Sequence, residues 1–141
     1  AESSFAQDYG RTNTTPGVTT AAASDITTTT ATSGGTVLAD GGAAVTARGV
    51  CWGTDHDPTI AGPHTLDGGG TGGFTSSLTP LLPNTLYYVR AYATNTYGTA
   101  YGDELSFTTA QITVTLSLSA GVHARKTTFS MPWASRRISG S

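Results

Sequence analysis

The sequence predicts an all-β sandwich, and three observations support this prediction. Thr supplies about one residue in five of the 141, and β-branched side chains favour strands. Gly occurs 18 times, whereas the chain is poor in Glu, Lys and Leu, which favour helices. Short apolar or alternating segments recur between clusters of Gly, Pro, Asn and Asp, as in a protein of two packed sheets.

The predicted sandwich covers residues 16–109, between a polar arm at residues 1–15 and an extension at residues 110–141. Its reversals have local causes, because Gly41 and Gly42 can adopt positive φ and Pro58 halts a strand. Seven strands are predicted, at residues 18–22, 29–38, 44–52, 64–67, 73–78, 86–94 and 100–108.

The segment that begins the sixth predicted strand indicates a tyrosine corner. Leu81, Pro83 and Tyr87 have the spacing of this device, in which a Tyr hydroxyl bonds to the backbone of the preceding corner while its ring fills the core. Pro83 fixes the corner and Leu81 packs beneath it. After Tyr87 the side chains alternate between the two faces of the strand.

The stretch LLPNTLYYVRAYATNTYG, the closing LSFTT and the earlier TSGGTVLADGGAAVTARGVCWGT resemble fibronectin type III domains. The resemblance is to a Thr- and Gly-rich variety that is repeated in bacterial secreted and surface proteins. It implies an Ig-like, seven-strand β-sandwich and an extracellular or cell-surface location, but it does not distinguish adhesion from spacing or accessory roles. Many members carry their core Trp on the second strand, whereas Trp52 ends the third. The buried face of residues 47–52 therefore stays open.

A row of tyrosines near the last two strands has two interpretations. Tyr88, Tyr92, Tyr97 and Tyr101 could form a binding surface for carbohydrate or protein. Packing between neighbouring strands is the more common cause of an aromatic row, and we expect it here.

The extension begins with a strict alternation of apolar and hydroxyl side chains. Ile112, Val114, Leu116 and Leu118 would share one face of a strand that is half-buried. This strand, at residues 111–119, could be followed by a returning strand at residues 122–131. Because a lone hairpin is marginal in water, it needs a surface on which to lie: its own sandwich, a following domain, or a neighbouring copy to which the strand is donated. The extension carries four basic and no acidic residues, whereas the rest carries three basic and nine acidic residues. Opposite charges favour association between copies.

No pattern for catalysis, a cofactor or a metal site is found. His56 lies between Asp55 and Asp57, but neighbouring side chains diverge in an extended loop, and solvated turn residues are the simpler interpretation. The single cysteine, Cys51, cannot form an internal disulfide and is expected to be a small buried residue. Asn13 begins an acceptor sequon for N-linked glycan, Asn13-Thr14-Thr15.

The sequence thus predicts a non-enzymatic extracellular protein that is structural or adhesive. Our first hypothesis is a filament or surface-matrix subunit that assembles with copies of itself by strand donation. The alternative is a monomeric accessory module that binds carbohydrate or protein within a larger secreted protein. The formal net charge of -2 gives no indication of a nucleic-acid partner, and no apolar segment approaches the roughly 20 residues of a membrane span.

Overall fold

A computed structural model of the chain describes residues 13–115 and 128–130. Within these residues seven strands form two antiparallel sheets, and two short strands form a separate hairpin. The strands are β1 Gly17–Ser24, β2 Ala31–Ala39, β3 Ala47–Gly53, β4 Gly72–Leu78, β5 Leu86–Asn95, β6 Gly98–Tyr101, β7 Leu105–Thr108, β8 Thr113–Thr115 and β9 Thr128–Ser130.

The sandwich has a first sheet in the order β1-β2-β4 and a second sheet in the order β3-β5-β6, with β7 also paired to β5. The hairpin of β8 and β9 belongs to neither of them. This confirms the predicted fold class, an all-β Ig-like sandwich with an additional C-terminal hairpin. No helix capable of crossing a membrane is present in residues 13–115 and 128–130.

The core lies between the sheets because each long strand alternates large inward residues with residues of the outer face. It is a cluster of buried apolar side chains: Ala31, Val50, Trp52, Leu78, Leu81, Tyr87, Val89 and Phe107. Burial of each large member contributes roughly 1.5–3 kcal/mol. Val50 and Trp52 therefore mark the inward face of β3, which the sequence left open.

The two sheets approach each other closely at Gly35 of β2. A Cβ on Gly35 would lie 2.7 Å from Cβ of Ala91 and 2.3 Å from the carbonyl oxygen of Thr19. Such separations are well below van der Waals contact, so only glycine fits. The small inward residues of β5, Ala91 and Ala93, match this narrow part of the core.

The tyrosine corner lies before β5. The backbone N–H of Leu82 donates to Oη of Tyr87 over 2.8 Å, and the Tyr87 ring stacks on Phe107 with centroids 5.8 Å apart. Leu81 and Pro83 are buried in the same corner. Tyr87 thus ties the loop before β5 to the core.

Two predicted strands differ in the structure. Residues 64–67 contribute only an isolated bridge between His64 and Cys51, because the N–H of Val50 donates to the hydroxyl of Thr65 instead of a backbone carbonyl. Residues 100–108 form two strands rather than one. Between them the chain bends where Gly102 packs on Thr20, whose hydroxyl accepts the N–H of Ala91.

Each end of the sandwich gathers particular loops. The lower end contains residues 24–31, 53–57, 78–86 and 108–110, and the upper end contains residues 39–46, 68–72 and 95–98. The extension leaves from the lower end, where the Ala110 N–H donates to Thr27 and its carbonyl accepts from Asn84.

Candidate functional site

The connection between β3 and β4 folds back over the outer face of the second sheet, and we call residues 54–71 the cover. Arg90 of β5 holds one part of it, because Nε and Nη2 donate to the carbonyl oxygen of Pro58 over 3.0 and 2.7 Å. Tyr92 holds another part, since its hydroxyl donates to the carbonyl oxygen of Thr65 over 2.6 Å. The outer face is therefore closed by hydrogen bonds from β5. Arg48 of β3, which shares the inward side of Val50 and Trp52, holds the end of the cover at the edge of the sheet by donating to the carbonyls of Gly70 and Thr71.

This arrangement corrects the binding surface that we considered for the tyrosines. Tyr92 is only 1% exposed, and burial raises the pKa of its hydroxyl to about 12. Tyr88 packs on the ring of His56 with centroids 4.1 Å apart. Tyr101 lies under Arg90 at 4.2 Å and accepts the N–H of Ile60. Tyr97 is 47% exposed and lies at the upper end, so the four rings form no common surface.

A half-buried polar cluster links Ser76 of β4 to the part of the cover that lies beside β3. The Asp67 carboxylate accepts hydrogen bonds from the hydroxyls of Thr65 and Ser76, and these two hydroxyls lie 3.1 Å apart. Ser76 belongs to β4 and Thr65 lies against β3, so the cluster joins the two layers. Gly49 permits this approach, because a Cβ there would lie 2.2 Å from the carbonyl oxygen of Thr65.

Glu104, between β6 and β7, fastens the start of the cover. Its Oε2 lies 2.7 Å from Nδ1 of His56, and its Oε1 accepts the N–H of Asp57. The hydrogen bond and charge of Glu104 raise the pKa of His56 above its ordinary value. The bonds from Asp57 and His56 lower the pKa of Glu104. Both shifts favour the charged pair.

A groove of about 480 Å³ opens beside this contact, where the cover leaves the lower end of the sandwich. Its lining combines proline rings, aromatic edges and carboxylates: Trp52, Asp55, Asp57, Pro58, Pro63 and Pro80 are among the residues that form it. Trp52 and Tyr87 are largely buried and form its floor. The groove is suited to an apolar group that has cations beside it.

The described residues hold no cluster suited to metal binding. Residues 13–115 and 128–130 contain no group of three or more His, Cys, Asp or Glu side chains that could share an ion. Cys51 is fully buried in this part of the chain, and burial raises the pKa of its thiol to about 12. Because the thiolate is the reactive form, Cys51 is not placed to act as a nucleophile.

Of the remaining predicted residues, those that the structure describes lie at opposite ends of the sandwich. Ile112 and Val114 are half-buried beside the lower end, whereas Leu116 and Leu118 lie outside the described residues. Asn13 is exposed at the upper end, where its side-chain oxygen accepts a hydrogen bond from Tyr97 over 3.2 Å.

Sequence reasoning did not identify the groove or the role of Glu104. Glu104 meets His56 across 48 positions of the chain, and no local pattern marks a contact of that separation. The sequence does contain one indication of the groove, because prolines near the ends of strands provide rigid apolar surface. These prolines are Pro58, Pro63 and Pro80.

No protein-family model matches the chain, and no curated protein matches it. Among solved structures, it is similar to a short form of the sensor domain of the anti-sigma factor RsgI4 from Pseudobacteroides cellulosolvens. The identity is 18%, the TM-score is 0.50, and the match covers 67% of this chain and 94% of the other.

A longer form of the same sensor domain matches with 17% identity and a TM-score of 0.49, over 76% of this chain and 98% of the other. Domains A168–A170 of titin match with 21% identity and a TM-score of 0.48, over 71% of this chain and 33% of the other. At 18% identity, the match to the short sensor domain shows a shared fold and nothing about activity.

Proposed function

We propose that the chain is a non-catalytic, fibronectin type III-like module of an extracellular structural or adhesive protein, and that residues 110–141 join it to copies of itself. The observation that supports this proposal is the position of the hairpin. β8 and β9 pair with each other and with neither sheet of the sandwich. A two-stranded hairpin is marginally stable in water, so it gains stability from a surface on which to lie.

The structure revises the form of the donated element. We expected a single extended strand at residues 111–119, but β8 already has one neighbour, since Val114 pairs with Phe129 in the same chain. Donation would therefore present a hairpin, through the second edge of β8 or through the face that carries Ile112 and Val114.

An edge of the first sheet is suited to receive such an element. Within the described residues, β4 pairs only with β2, and Gly72–Leu78 contains no charged residue and no proline. Natural proteins commonly use charge or proline to keep an exposed strand from pairing with other chains. Addition of a strand to β4 from a second copy would be a head-to-tail contact, which extends into a filament because it does not close.

Paired substitutions on β8 test this proposal in the full chain. Val114→Asp places a charge on the apolar face, and Thr113→Asp places the same charge on the other face of the same strand. We expect the unmodified chain and Thr113→Asp to sediment as oligomers and Val114→Asp to sediment as a monomer at equal concentration. Electron micrographs should show filaments for the first two proteins only.

Either of two results would contradict homotypic assembly. The unmodified chain could remain monomeric at every concentration tested, or Val114→Asp could assemble as well as Thr113→Asp. A folded monomer would leave the role of accessory module within a larger extracellular protein, which does not require contact between copies.

A further inference from the structure

We propose that the groove at the lower end holds residues 131–137 of the same chain, with Trp133 between the prolines and Arg136 and Arg137 beside the carboxylates. The inference concerns a contact within one molecule and does not depend on assembly between copies.

The lining of the groove fits an aromatic side chain. Pro58, Pro63 and Pro80 supply rigid apolar walls, and the edges of Trp52 and Tyr87 form its floor. A volume of about 480 Å³ accommodates an indole together with neighbouring backbone. Burial of an aromatic ring there would remove apolar surface of both the ring and the groove from water.

The charges beside the groove are complementary to the segment. Asp55 and Asp57 line it, and Glu104 lies against Asp57. Two cations on the sandwich face these carboxylates. Arg90 is bound to the carbonyl of Pro58 and lies 3.7 Å from Asp57, and His56, which lines the groove, lies 2.7 Å from Glu104. Three carboxylates face two cations, so the rim keeps an excess of negative charge, with Asp55 outside both pairs.

The segment supplies the opposite charge. The extension contains four basic residues and no acidic one, and two of the four follow Trp133 within four positions. Attraction of this kind orients a docking segment and weakens as salt screens it.

The connection to the groove is short enough for one molecule. Ala110 is fixed at the lower end by Thr27 and Asn84, and Thr113 pairs with Ser130. Two residues separate Ala110 from Thr113, and two separate Ser130 from Trp133, so the chain path through the pair of Thr113 and Ser130 can span at most about 25 Å from Ala110 to Trp133 at an extended rise of about 3.3 Å per residue. Pro80 belongs to the same loop as Asn84. A tether of this length gives the chain's own segment an effective concentration near the millimolar range, which favours it over a second copy.

Nuclear magnetic resonance of the full chain tests the contact. Trp133→Ala should shift the amide signals of Gly53, Thr54 and Gly62, which line the groove, and leave those of Gly41 and Gly98 at the upper end in place. Ile138→Ala, an apolar change just beyond the segment, is the matched control and should leave the groove signals unchanged.

Charge provides the second arm of the experiment. Arg136→Glu with Arg137→Glu should move the same groove signals in the same direction as Trp133→Ala, and about 1 M salt, which shortens the screening length to about 3 Å, should do so in the unmodified chain. Unchanged groove signals in Trp133→Ala would overturn the proposal. Groove shifts that depend on protein concentration would assign the segment to a second copy and overturn the contact within one molecule.

The assembly proposal can fail separately from this one. Val114→Asp is expected to prevent oligomers but to keep the groove signals of the unmodified chain. Loss of both properties in that variant would show that groove occupancy requires a neighbouring copy.

Discussion

The outer faces of the two sheets differ although the sheets belong to one sandwich. The first sheet presents mainly short side chains such as Thr19, Thr36 and Thr75 to solvent, together with Leu38, which is 67% exposed. The second sheet presents Arg90 and Tyr92, and the cover, residues 54–71, lies over them with hydrogen bonds to both. The large outward residues Arg90 and Tyr92 are therefore covered by a long connection, whereas the hydroxyl side chains of the first sheet can form hydrogen bonds with water.

The cover makes the second sheet a three-layered region of a small protein. Cys51, on the outward face of β3, is fully buried there. Stability should depend on outward residues of the second sheet and hardly at all on those of the first. The following predictions test this difference, beginning with the largest expected effect.

Removal of the Tyr92 ring should give the largest loss. Tyr92→Ala deletes a buried aromatic ring and its bond to Thr65, and we expect the free energy of unfolding to fall by about 3–5 kcal/mol. Thr36→Ala on the exposed outer face of β2 should change it by less than about 0.5 kcal/mol. Urea denaturation of both variants measures the difference, and equal losses would show that the cover contributes no more than a solvent-exposed face.

A glycine substitution tests the close fit of the cover. A Cβ at Gly49 would lie 2.2 Å from the carbonyl oxygen of Thr65, whereas nothing lies within 4 Å of a Cβ at Gly53 on the same strand. Gly49→Ala should lower the free energy of unfolding by about 1–3 kcal/mol, because the backbone of the cover must shift. Gly53→Ala is the control and should change it by less than about 0.5 kcal/mol.

Thiol labelling of Cys51 reports the same displacement independently. The thiol should react slowly in the folded protein, since burial raises its pKa to about 12 and the thiolate is the nucleophile. Gly49→Ala should accelerate labelling more than Gly53→Ala does. Equal labelling rates would indicate that the cover tolerates the added methyl group without moving.

The smallest effect is a pH dependence at the start of the cover. The pKa of His56 is raised from 6.5 by Glu104, so the stabilisation from this pair is complete below about pH 6.5 and is lost as the pH rises through the raised value. The pKa of Glu104 is lowered, so its contribution is lost as the pH falls through that lowered value.

Titration of the His56 ring by nuclear magnetic resonance measures this effect. The midpoint should lie above 6.5 in the unmodified protein, and Glu104→Gln should move it down. An unchanged His56 midpoint would show that the pair does not form in solution.

The fold was predictable from local patterns, and the site was not. Alternation around Tyr87 and Val89 and the corner at Pro83 depend on neighbours in sequence, so they predicted the sandwich and the strand that carries its core. Contacts of the cover depend on residues far apart, such as His56 with Glu104 and Arg90 with Pro58. No period in the sequence encodes such pairs.

The two differences in strand boundaries have a similar origin. Residues 64–67 have the composition of a strand, but the hydroxyl of Thr65 takes the N–H of Val50 and interrupts the ladder. The tyrosine row was ambiguous because Tyr88 and Tyr92 alternate like solvent-facing strand residues. Both side chains are covered by residues 54–71, and the path of that segment depends on tertiary contacts rather than on local sequence.

The described chain enters and leaves the sandwich at opposite ends. Thr14 bonds to Gly41 and Asn95 at the upper end, whereas Ala110 bonds to Thr27 and Asn84 at the lower end. A pulling force applied through these two points would run parallel to the strands. It would load the ladders in shear, so that many hydrogen bonds must break together before the module extends. Modules linked through these points would form a tension-bearing line.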